Sequence, residues 1–590
     1  MEIYKNLKFQ FESELKIIKE KYNKISFFRL VSIISFLFFG YLFLDKKHDV
    51  YAFASVFSMI IFIILMRFHD KVSHQKELKE ALISINKNEI AFLNRDKISF
   101  DNGVEFNDFN HSYAYDLDIF GEHSLFQNLN RTFTYIGKKT LANQLLKTLS
   151  NTEIIENQNA IKELALKINW RQEFMSIAKI SKDKKSNYEN LLNWSKLNSK
   201  PIQKSDQILS FSLPILFLGL VLSYFVTKND IFFNYISILF VANLGFSARF
   251  LKRIQAENGI SGDIDKIVKK YGLMIQKIEN ETFKSKKLVD LQIFFKSETK
   301  NTNQNLNKLS ELFSRLDSIS NLFTTVVFNG TFLFHIHNLK AMIDWKIKHA
   351  QNLEKWINII GEFEMLNSFA NFSFNNSDFV FPEINSNHEI SFENLSHPLL
   401  NPKTRIGNSV NFQSQSFMIL TGSNMSGKST FLRSLGINMV LSGIGSPICA
   451  SKANVHPLPI LVSMRLSDSL SDSESYFYAE IKRLKQIMDE LQKNCAFVLL
   501  DEILRGTNSD DKRSGTIEVV KKMITKNAIG AIATHDIEVC LTTNDFPNQL
   551  TNKCFEVEIV NDDLYFDYKL HDGICKNKSA TFLMKKMGVI

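Results

Sequence analysis

The chain contains 590 residues, of which 45% are hydrophobic and 52 are phenylalanine, so it has room for several domains and for membrane segments beside ordinary cores. Its net charge of +9 is mildly basic, which suits nucleic acid and anionic lipid head groups equally. The five cysteines fall in the last quarter of the sequence without metal-ligand spacing, and we expect them to be reduced structural thiols. The composition therefore argues against a disulfide scaffold and against a cysteine-held metal.

Two nearly uncharged apolar runs follow a charged tail over residues 1–24. They cover residues 25–44 and 50–66, and a second pair covers residues 208–226 and 231–251. Each run is about long enough to cross a hydrocarbon core of about 30 Å, so the simplest interpretation is four transmembrane helices in two tight hairpins. The alternative is two buried helical hairpins in a soluble core, although core helices of this length normally carry a polar stripe.

The orientation of the hairpins follows from the basic residues that flank them. Because each hairpin returns the chain to the side it came from, everything except the two short loops lies on one side. By the positive-inside rule that side is the cytoplasm, although Lys46 and Lys47 in the first loop weaken the contrast. We therefore expect a multi-pass protein of the cell (inner) membrane, with both termini cytoplasmic. The flanking residues are Lys16, Lys19, Lys21, Lys24, Arg67, Lys71, Lys200, Lys204, Lys252 and Arg253.

Most of the sequence around the apolar pairs has helical periodicity. Residues 67–123 are expected to extend the second run as a charged helix and then to become an irregular linker. Residues 124–207 and 252–375 place apolar residues at helical spacing with few prolines, which predicts two parts of one all-helical core. Basic clusters at 266–270 and 284–287 lie on these helices, either as solvated helix faces or, alternatively, as phosphate-contacting surfaces.

A complete phosphate-binding loop lies in the C-terminal region, where the pattern changes to short strands, glycine turns and helices. An apolar run at 417–420 precedes the loop and a helix-like run begins at Ser429, in the order that such a loop requires. Its glycines let backbone N–H groups turn toward the phosphates of ATP. Lys428, a predicted catalytic residue, can reach the β and γ oxygens, and Ser429 can offer its hydroxyl to Mg²⁺. The predicted nucleotide-binding residues of the loop are Thr421, Gly422, Ser423, Asn424, Met425, Ser426, Gly427, Lys428, Ser429 and Thr430.

Two further buried strands are predicted to end in polar residues beside this loop. The first delivers Asp501 and Glu502 at its C-terminal end, where ligands collect in parallel sheets. We expect Asp501 to bind Mg²⁺ directly or through water, and Glu502 to orient and deprotonate the water that attacks the γ-phosphate. The second strand ends before His535, which is expected to sense the γ-phosphate. The alternative for His535 is a hydrogen-bonded structural role.

Together these motifs resemble the ATPase domain of the MutS DNA mismatch-repair family. The resemblance is highly specific in the ATPase motifs and moderately specific in the helical region, and it covers about two-thirds of the chain. It rests on residues 421–433, 501–507 and 533–535, on residues 396–398, 445–450 and 569–573 around them, and on residues 124–137 and 356–370 in the helical part.

The resemblance implies an ATP site that a second chain completes. The family builds each complete site from two ATPase domains, so this chain with one such domain is expected to form a homodimer. His397, within a Ser-His-Pro motif, is implied as a nucleotide contact. The family's Ser-Thr-Phe signature, which reaches the partner's γ-phosphate, appears here as Ser475, Tyr476 and Phe477. Ser475 is therefore the expected contact in trans, while tyrosine replaces the threonine.

The resemblance does not extend to the family's mismatch-reading domain. No counterpart of its Phe-x-Glu wedge is found, apolar runs occupy the N-terminal region, and we expect no C-terminal helix-turn-helix appendage. The expected function is a membrane-anchored ATPase in which ATP binding draws two chains together and hydrolysis releases them, moving the attached helices. Double-stranded DNA, contacted through its backbone, is an expected partner beside the lipid bilayer. The alternative is a membrane-embedded, ATP-driven protein or lipid machine with no DNA role.

The predicted fold class is an α/β P-loop ATPase domain of the ABC type joined to an all-α core, with four transmembrane helices in two hairpins. The predicted domains are a cytoplasmic tail (1–24), a first hairpin (25–66), a helical extension and linker (67–123), the first part of the helical core (124–207), a second hairpin (208–251), the second part of the core or lever (252–375) and the ATPase domain (376–590).

Overall fold

A computed structural model shows a mostly helical chain whose C-terminal region contains mixed β-sheets. Helices fill the N-terminal two-thirds, as the spacing of apolar residues predicts. The structure describes residues 1–96, 98–257, 264–297, 301–412, 416–423, 425–465, 476–560 and 563–575, with 582, 584 and 586–590.

The α-helices before the first strand fall into two long hairpins and a packed core. In chain order they are α1 (Glu2–Lys46), α2 (Asp49–Leu93), α3 (Leu125–Leu129), α4 (Tyr135–Leu145), α5 (Asn151–Leu166), α6 (Ile168–Ser181), α7 (Lys185–Lys196), α8 (Lys204–Thr227), α9 (Asp230–Ala248), α10 (Leu251–Glu257), α11 (Ile264–Glu279), α12 (Lys286–Ser297), α13 (Thr302–Asp317), α14 (Leu322–Phe332) and α15 (Phe334–Asn375).

The predicted apolar runs lie in two antiparallel helical hairpins, α1–α2 and α8–α9. The first hairpin turns at Lys47, whose left-handed φ of 50° ends α1. The second turns at Asn229, whose side chain accepts a hydrogen bond from the Ile231 N–H at 3.0 Å. All four helices are long and apolar enough to cross a membrane by length and composition, and most of their apolar side chains are exposed in the single chain.

The base of the first hairpin is fixed to α15 by buried polar contacts. Tyr4 in α1 lies with its hydroxyl 2.7 Å from Oδ1 of Asn375. Glu89 in α2 forms an ion pair with Arg131 and accepts hydrogen bonds of 3.1 Å from the side-chain amides of Asn371 and Asn375. The two charged side chains are only 1% and 2% exposed. Removing one partner of such a pair typically costs about 3–5 kcal/mol, because the other charge is left buried and unpaired.

The 42-residue helix α15 is the spine of the helical core. Gly361 allows α4 to cross it closely, because a Cβ there would lie 2.7 Å from Oγ1 of Thr140 and 2.9 Å from Cγ1 of Ile136. One turn later, the Glu364 carboxylate accepts hydrogen bonds from the backbone N–H groups of Phe133 at 2.7 Å and Thr134 at 3.3 Å. These contacts hold the start of α4 on α15.

The C-terminal region contains a four-stranded and a six-stranded sheet among the described strands. Its elements are β1 (Glu383–Ile384), β2 (Ile390–Leu395), β3 (Asn408–Asn411), β4 (Phe417–Gly422), α16 (Lys428–Gly443), β5 (Lys452–Val455), β6 (Ile460–Ser463), α17 (Tyr476–Leu491), β7 (Phe497–Asp501), α18 (Ser509–Thr525), β8 (Ile529–Ala533), α19 (Ile537–Asp545), β9 (Leu550–Phe555), β10 (Glu558–Val560), β11 (Asp563–Tyr565) and β12 (Leu570–Asp572).

The six-stranded sheet has the order β12-β9-β4-β8-β7-β6 and is parallel except for β12. Strands β4, β7 and β8 are buried along their whole length, as their continuous apolar sequences predict for inner parallel strands. Their carboxyl ends therefore meet at one edge of the sheet, where the chain passes into loops. The smaller sheet, β1-β5-β2-β3, receives the chain directly after α15.

The irregular segment after α2 packs on the six-stranded sheet. The Ser112 carbonyl accepts a hydrogen bond of 2.9 Å from the Val462 N–H at the edge strand β6. Leu117 is fully buried against α16, where a Cβ on Gly436 would lie 2.6 Å from its Cδ2. The segment after α2 therefore packs against the six-stranded sheet and α16, whereas the end of α15 leads into the smaller sheet.

Candidate active site

The loop between β4 and α16 depends on two glycines. Gly422 has φ 152°, and a Cβ there would lie 2.7 Å from Oγ of Ser426 and 2.9 Å from the Phe555 carbonyl oxygen. Gly427 has φ 105° and is the residue before α16. The loop therefore wraps tightly and presents the N-terminus of α16, where N–H groups and the helix dipole favour an anion. The predicted loop residue Asn424 lies outside the described residues.

Lys428 and Ser429 contact groups inside the loop and at the end of β7. The Lys428 ammonium donates hydrogen bonds of 2.9 Å to the carbonyl oxygens of Gly422 and Ser423. The Ser429 hydroxyl donates to Oδ2 of Asp501 at 2.6 Å. Burial lowers the pKa of Lys428, while Glu502 and Asp501 oppose that shift. Both side chains are thus positioned at the loop by contacts within the protein.

Several buried polar atoms at this place have no hydrogen-bond partner among the described residues. They are Oγ of Ser423, Oγ of Ser426 and Oδ1 of Asp501. Unpaired buried oxygens are costly and indicate a ligand or ion that satisfies them. The Ser429 hydroxyl and the Asp501 carboxylate are oxygen donors of the kind that Mg²⁺ prefers, so the residues fit that ion.

Glu502 follows β7 with a left-handed φ of 49°. Its Oε1 lies 2.6 Å from Nε2 of His535, which follows β8, and its Oε2 lies 3.3 Å from the Arg505 guanidinium. The hydrogen bond from His535 is the main cause that lowers the pKa of Glu502 to about 2. The pairing of β7 with β8 brings the two side chains together, since Asp501 is in register with Ala533.

Glu480 in α17 holds the turn that follows Glu502. Its buried carboxylate accepts hydrogen bonds from the backbone N–H groups of Leu504 at 2.7 Å and Arg505 at 2.9 Å. Leu504 has a left-handed φ of 61°, which is costly for a non-glycine residue. Sequence reasoning did not assign this role. The sequence signal that could have indicated it is the position of Glu480 on the apolar face of the amphipathic helix α17.

A cavity of about 500 Å³ opens beside the loop and is lined by Met425 through Thr430, His397 and Glu502. Burial lowers the pKa of His397 to about 4, so its imidazole is neutral at physiological pH. Arg405 and Tyr568, which sequence reasoning missed, line the same cavity.

Tyr568 stands directly over the loop, since a Cβ on Gly427 would lie 3.2 Å from its Cδ1. The side chain of Asn408 fixes the backbone around Tyr568 through hydrogen bonds of 3.0 Å to the Tyr568 carbonyl and 2.8 Å from the Leu570 N–H.

The side chain of Thr421 contacts a neighbouring strand of the sheet. Its hydroxyl donates a hydrogen bond of 3.4 Å to the Lys553 carbonyl in β9. The Thr421 side chain thus supports the loop from the sheet.

The predicted trans residue Ser475 lies outside the described residues. The chain that leads toward it is held by two acids of the irregular segment. Oδ1 of Asp116 accepts hydrogen bonds of 2.8 Å from the N–H groups of both Met464 and Arg465. The Arg465 guanidinium also forms an ion pair with both carboxylate oxygens of Asp118. The segment after α2 therefore contacts the start of the stretch that contains Ser475.

Comparison with known proteins agrees with this geometry. Residues 418–589 match the family model of MutS domain V. The chain is 32% identical over 251 residues to the DNA mismatch repair protein MutS of Clostridium perfringens, covering 41% of this chain and 27% of that protein. It is 27% identical over 263 residues to the human MutS protein homolog 4, covering 42% and 28% of the two chains. For the DNA mismatch repair protein MutS of Thermotoga neapolitana the identity is 35% over 160 residues, covering 27% and 20%.

The site and the match define the C-terminal region as a MutS-type domain. The matched domain belongs to the MutS family, as the motifs predicted. The chain spans only about a quarter of the length of the curated relatives that it matches. The shared part is the region that contains the phosphate-loop motif and the paired acids.

Proposed function

We propose that the C-terminal domain binds ATP with Mg²⁺ and hydrolyses it. The observation that carries this proposal is the meeting of Lys428, Asp501, Glu502 and His535 at the carboxyl ends of three neighbouring parallel strands, beside a glycine-shaped loop. Membership of the MutS family supports the same activity, since its members are ATPases.

Each side chain has a separate task in this proposal. Lys428 exchanges its two carbonyl partners for phosphate oxygens, and the loop N–H groups bind the remaining phosphate charge. Ser429 and Asp501 would hold Mg²⁺, which would supply positive charge to offset the charge of the phosphates.

Glu502 accepts the proton of the attacking water. Its contact with His535 keeps the carboxylate ionised but makes it a weak base, because the pKa is near 2. Movement of His535 toward a γ-phosphate raises the proton affinity of Glu502, so that ATP itself activates the base.

The test of nucleotide binding is Lys428→Ala. We expect this variant to lose measurable ATP binding in a titration with a fluorescent ATP analogue. Lys493→Ala is the matched control, because Lys493 is 68% exposed and forms a surface pair with Glu490. Unchanged affinity in Lys428→Ala contradicts the proposed site.

We also propose that α1, α2, α8 and α9 anchor the chain in the cell membrane, with the sheets in the cytoplasm. Their exposed apolar surfaces and their lengths support this assignment. The test is labelling of intact cells with a membrane-impermeant maleimide. Asp45→Cys, in the last turn of α1, and Asn229→Cys, in the turn before α9, should react from outside. Lys493→Cys should react only after the cells are opened, and the opposite pattern excludes this topology.

For the assembly we propose a homodimer whose two MutS-type domains close on ATP and open after hydrolysis. DNA binding is proposed from the relatives, whose names state DNA mismatch repair. The basic clusters give it limited support, because Lys286 and Lys287 form ion pairs with Glu156 and Glu362. Binding to duplex DNA by the purified dimer, measured with its salt dependence, tests this part. No binding at low salt favours a membrane machine without a DNA role.

A further inference from the structure

Helix α14 is a short apolar helix whose surface is uncovered. Leu322 and Phe323 are 76% and 73% exposed, and Phe328 and Phe332 are also exposed. Only Asn329 and Gly330 of its 11 residues are buried. A helix of this length is too short to span a bilayer, and its exposure rules out a buried core helix. Its apolar face therefore requires an outside partner.

The position of α14 identifies that partner, because it packs on the second hairpin within the predicted membrane run. The Asn243 side chain in α9 donates a hydrogen bond of 2.8 Å to the Gly330 carbonyl. Gly330 also contacts the ring of Phe240, since a Cβ there would overlap the ring at 2.2 Å. With a rise of about 1.5 Å per residue, these contacts lie about 8–12 Å from the cytoplasmic end of α9.

The start of α15 continues the same contact with α8. The His337 ring lies 4.8 Å from the ring of Phe211, and the Lys340 ammonium lies 5.8 Å from that ring. Phe211 and Ile215 in α8 are also exposed, so α8 presents apolar surface beside the start of α15. Between Asp317 and Lys340 the sequence has no acidic residue, lysine or arginine. The chain beside the hairpin is thus uncharged from Ser318 to Leu339, and Lys340 near Phe211 is the first charged residue after this stretch.

The break between α14 and α15 is satisfied from inside the protein. Leu333 has a left-handed φ of 52°, which ends α14. Oδ1 of Asn329 accepts a hydrogen bond of 3.0 Å from the His335 N–H, and the His335 ring also contacts Ser318 at 3.2 Å. Asn329 and His335 are almost fully buried. At membrane depth, irregular backbone is tolerated only where protein groups satisfy it in this way.

We propose that α14 is a membrane-inserted element whose exposed apolar face lies among the acyl chains of the cytoplasmic leaflet. This inference rests on the proposed membrane anchoring by α8 and α9. It assigns a fifth apolar segment to the bilayer and places the head of α15 there. The helix α15 then runs from the bilayer to the smaller sheet of the MutS-type domain without interruption.

The test uses nitroxide spin labels on the full-length protein in vesicles of phosphatidylcholine and phosphatidylglycerol. Phe323→Cys reports on α14, and Leu322→Cys is a second reporter should the first variant fold poorly. Ile215→Cys in α8 is the membrane reference, and Leu166→Cys, 87% exposed at the end of α5, is the water reference. Collision rates with oxygen and with a water-soluble nickel complex are measured for each label. The partly exposed Cys495 and Cys575 are first replaced by serine.

The expected result is that the α14 labels lose access to the nickel complex and gain access to oxygen, as at Ile215. Access to nickel at Phe323 equal to that at Leu166, with Ile215 protected, overturns the inference and leaves the anchoring intact. Access to nickel at Ile215 overturns the anchoring itself. Protection of Phe323 from both reagents shows that protein, and not lipid, covers α14 and also overturns the inference.

Discussion

Glu502→Gln tests the assignment of the general base most directly. The glutamine keeps the length of the side chain and an oxygen that can accept the 2.6 Å contact with His535, so the fold and ATP binding should persist. An amide cannot take a proton from water at neutral pH. Loss of a general base costs about 10²–10⁴ in rate. At about 1.36 kcal/mol per factor of ten, the barrier should rise by about 2.7–5.4 kcal/mol.

The assay is single-turnover hydrolysis of ATP, combined with nucleotide affinity and sedimentation velocity. The variant should bind ATP within about threefold of the parent, a difference below about 0.7 kcal/mol, and should accumulate as a closed dimer. Glu518→Gln, the same chemical change on the exposed face of α18, is the matched control. Turnover by Glu502→Gln at the parent rate would refute the assignment of the base.

Three further measurements test other parts of the structure. Glu480→Ala removes the acceptor of two backbone hydrogen bonds, so it should destabilise the domain by about 2–5 kcal/mol. It should also lower turnover more than ATP affinity. The surface control Asp489→Ala should leave stability and turnover unchanged. Burial raises the pKa of Glu364 to about 7, so the stability linked to its neutral form is complete below about pH 4.5 and is lost as the pH rises through 7. Glu364→Gln should therefore flatten the fall of the unfolding temperature between pH 5 and 8, and an unchanged fall contradicts this origin. If DNA is bound, the affinities for homoduplex and single-mismatch duplexes should agree within about threefold, because backbone contacts carry no sequence information. A tenfold preference for the mismatch, about 1.4 kcal/mol, contradicts this prediction.

The sequence predicted those parts of the site that depend on local order along the chain. The loop around Lys428 and the acids at the end of β7 follow from short motifs next to buried strands, and the structure places them at one sheet edge. The contact between His535 and Glu502 was not predictable, because it depends on the register of β7 with β8 and on the left-handed backbone of Glu502.

Contacts between segments that are distant along the chain could also not be predicted from the sequence. Glu480 and Asp116 each hold backbone N–H groups of another segment, and such contacts leave no mark on helical or strand periodicity. The sequence predicted α14 only as part of the packed helices of residues 252–375, and its apolar stretch is shorter than a membrane span. The exposure of α14 depends on how helices that are distant in sequence pack around it.

The crossing of α4 over α15 at Gly361 divides α15 into unequal arms. At about 1.5 Å per residue, about 40 Å of helix lie on the α14 side of Gly361 and about 20 Å lie on the side of the smaller sheet. If α15 pivots at this crossing, a displacement of about 2 Å at its sheet end becomes one of about 4 Å at its head, with half the force. The same geometry works in reverse. Thinning or curvature of a bilayer around the N-terminal end of α15 would then cause a smaller displacement, with a larger force, at the end of α15 that leads to the proposed nucleotide site.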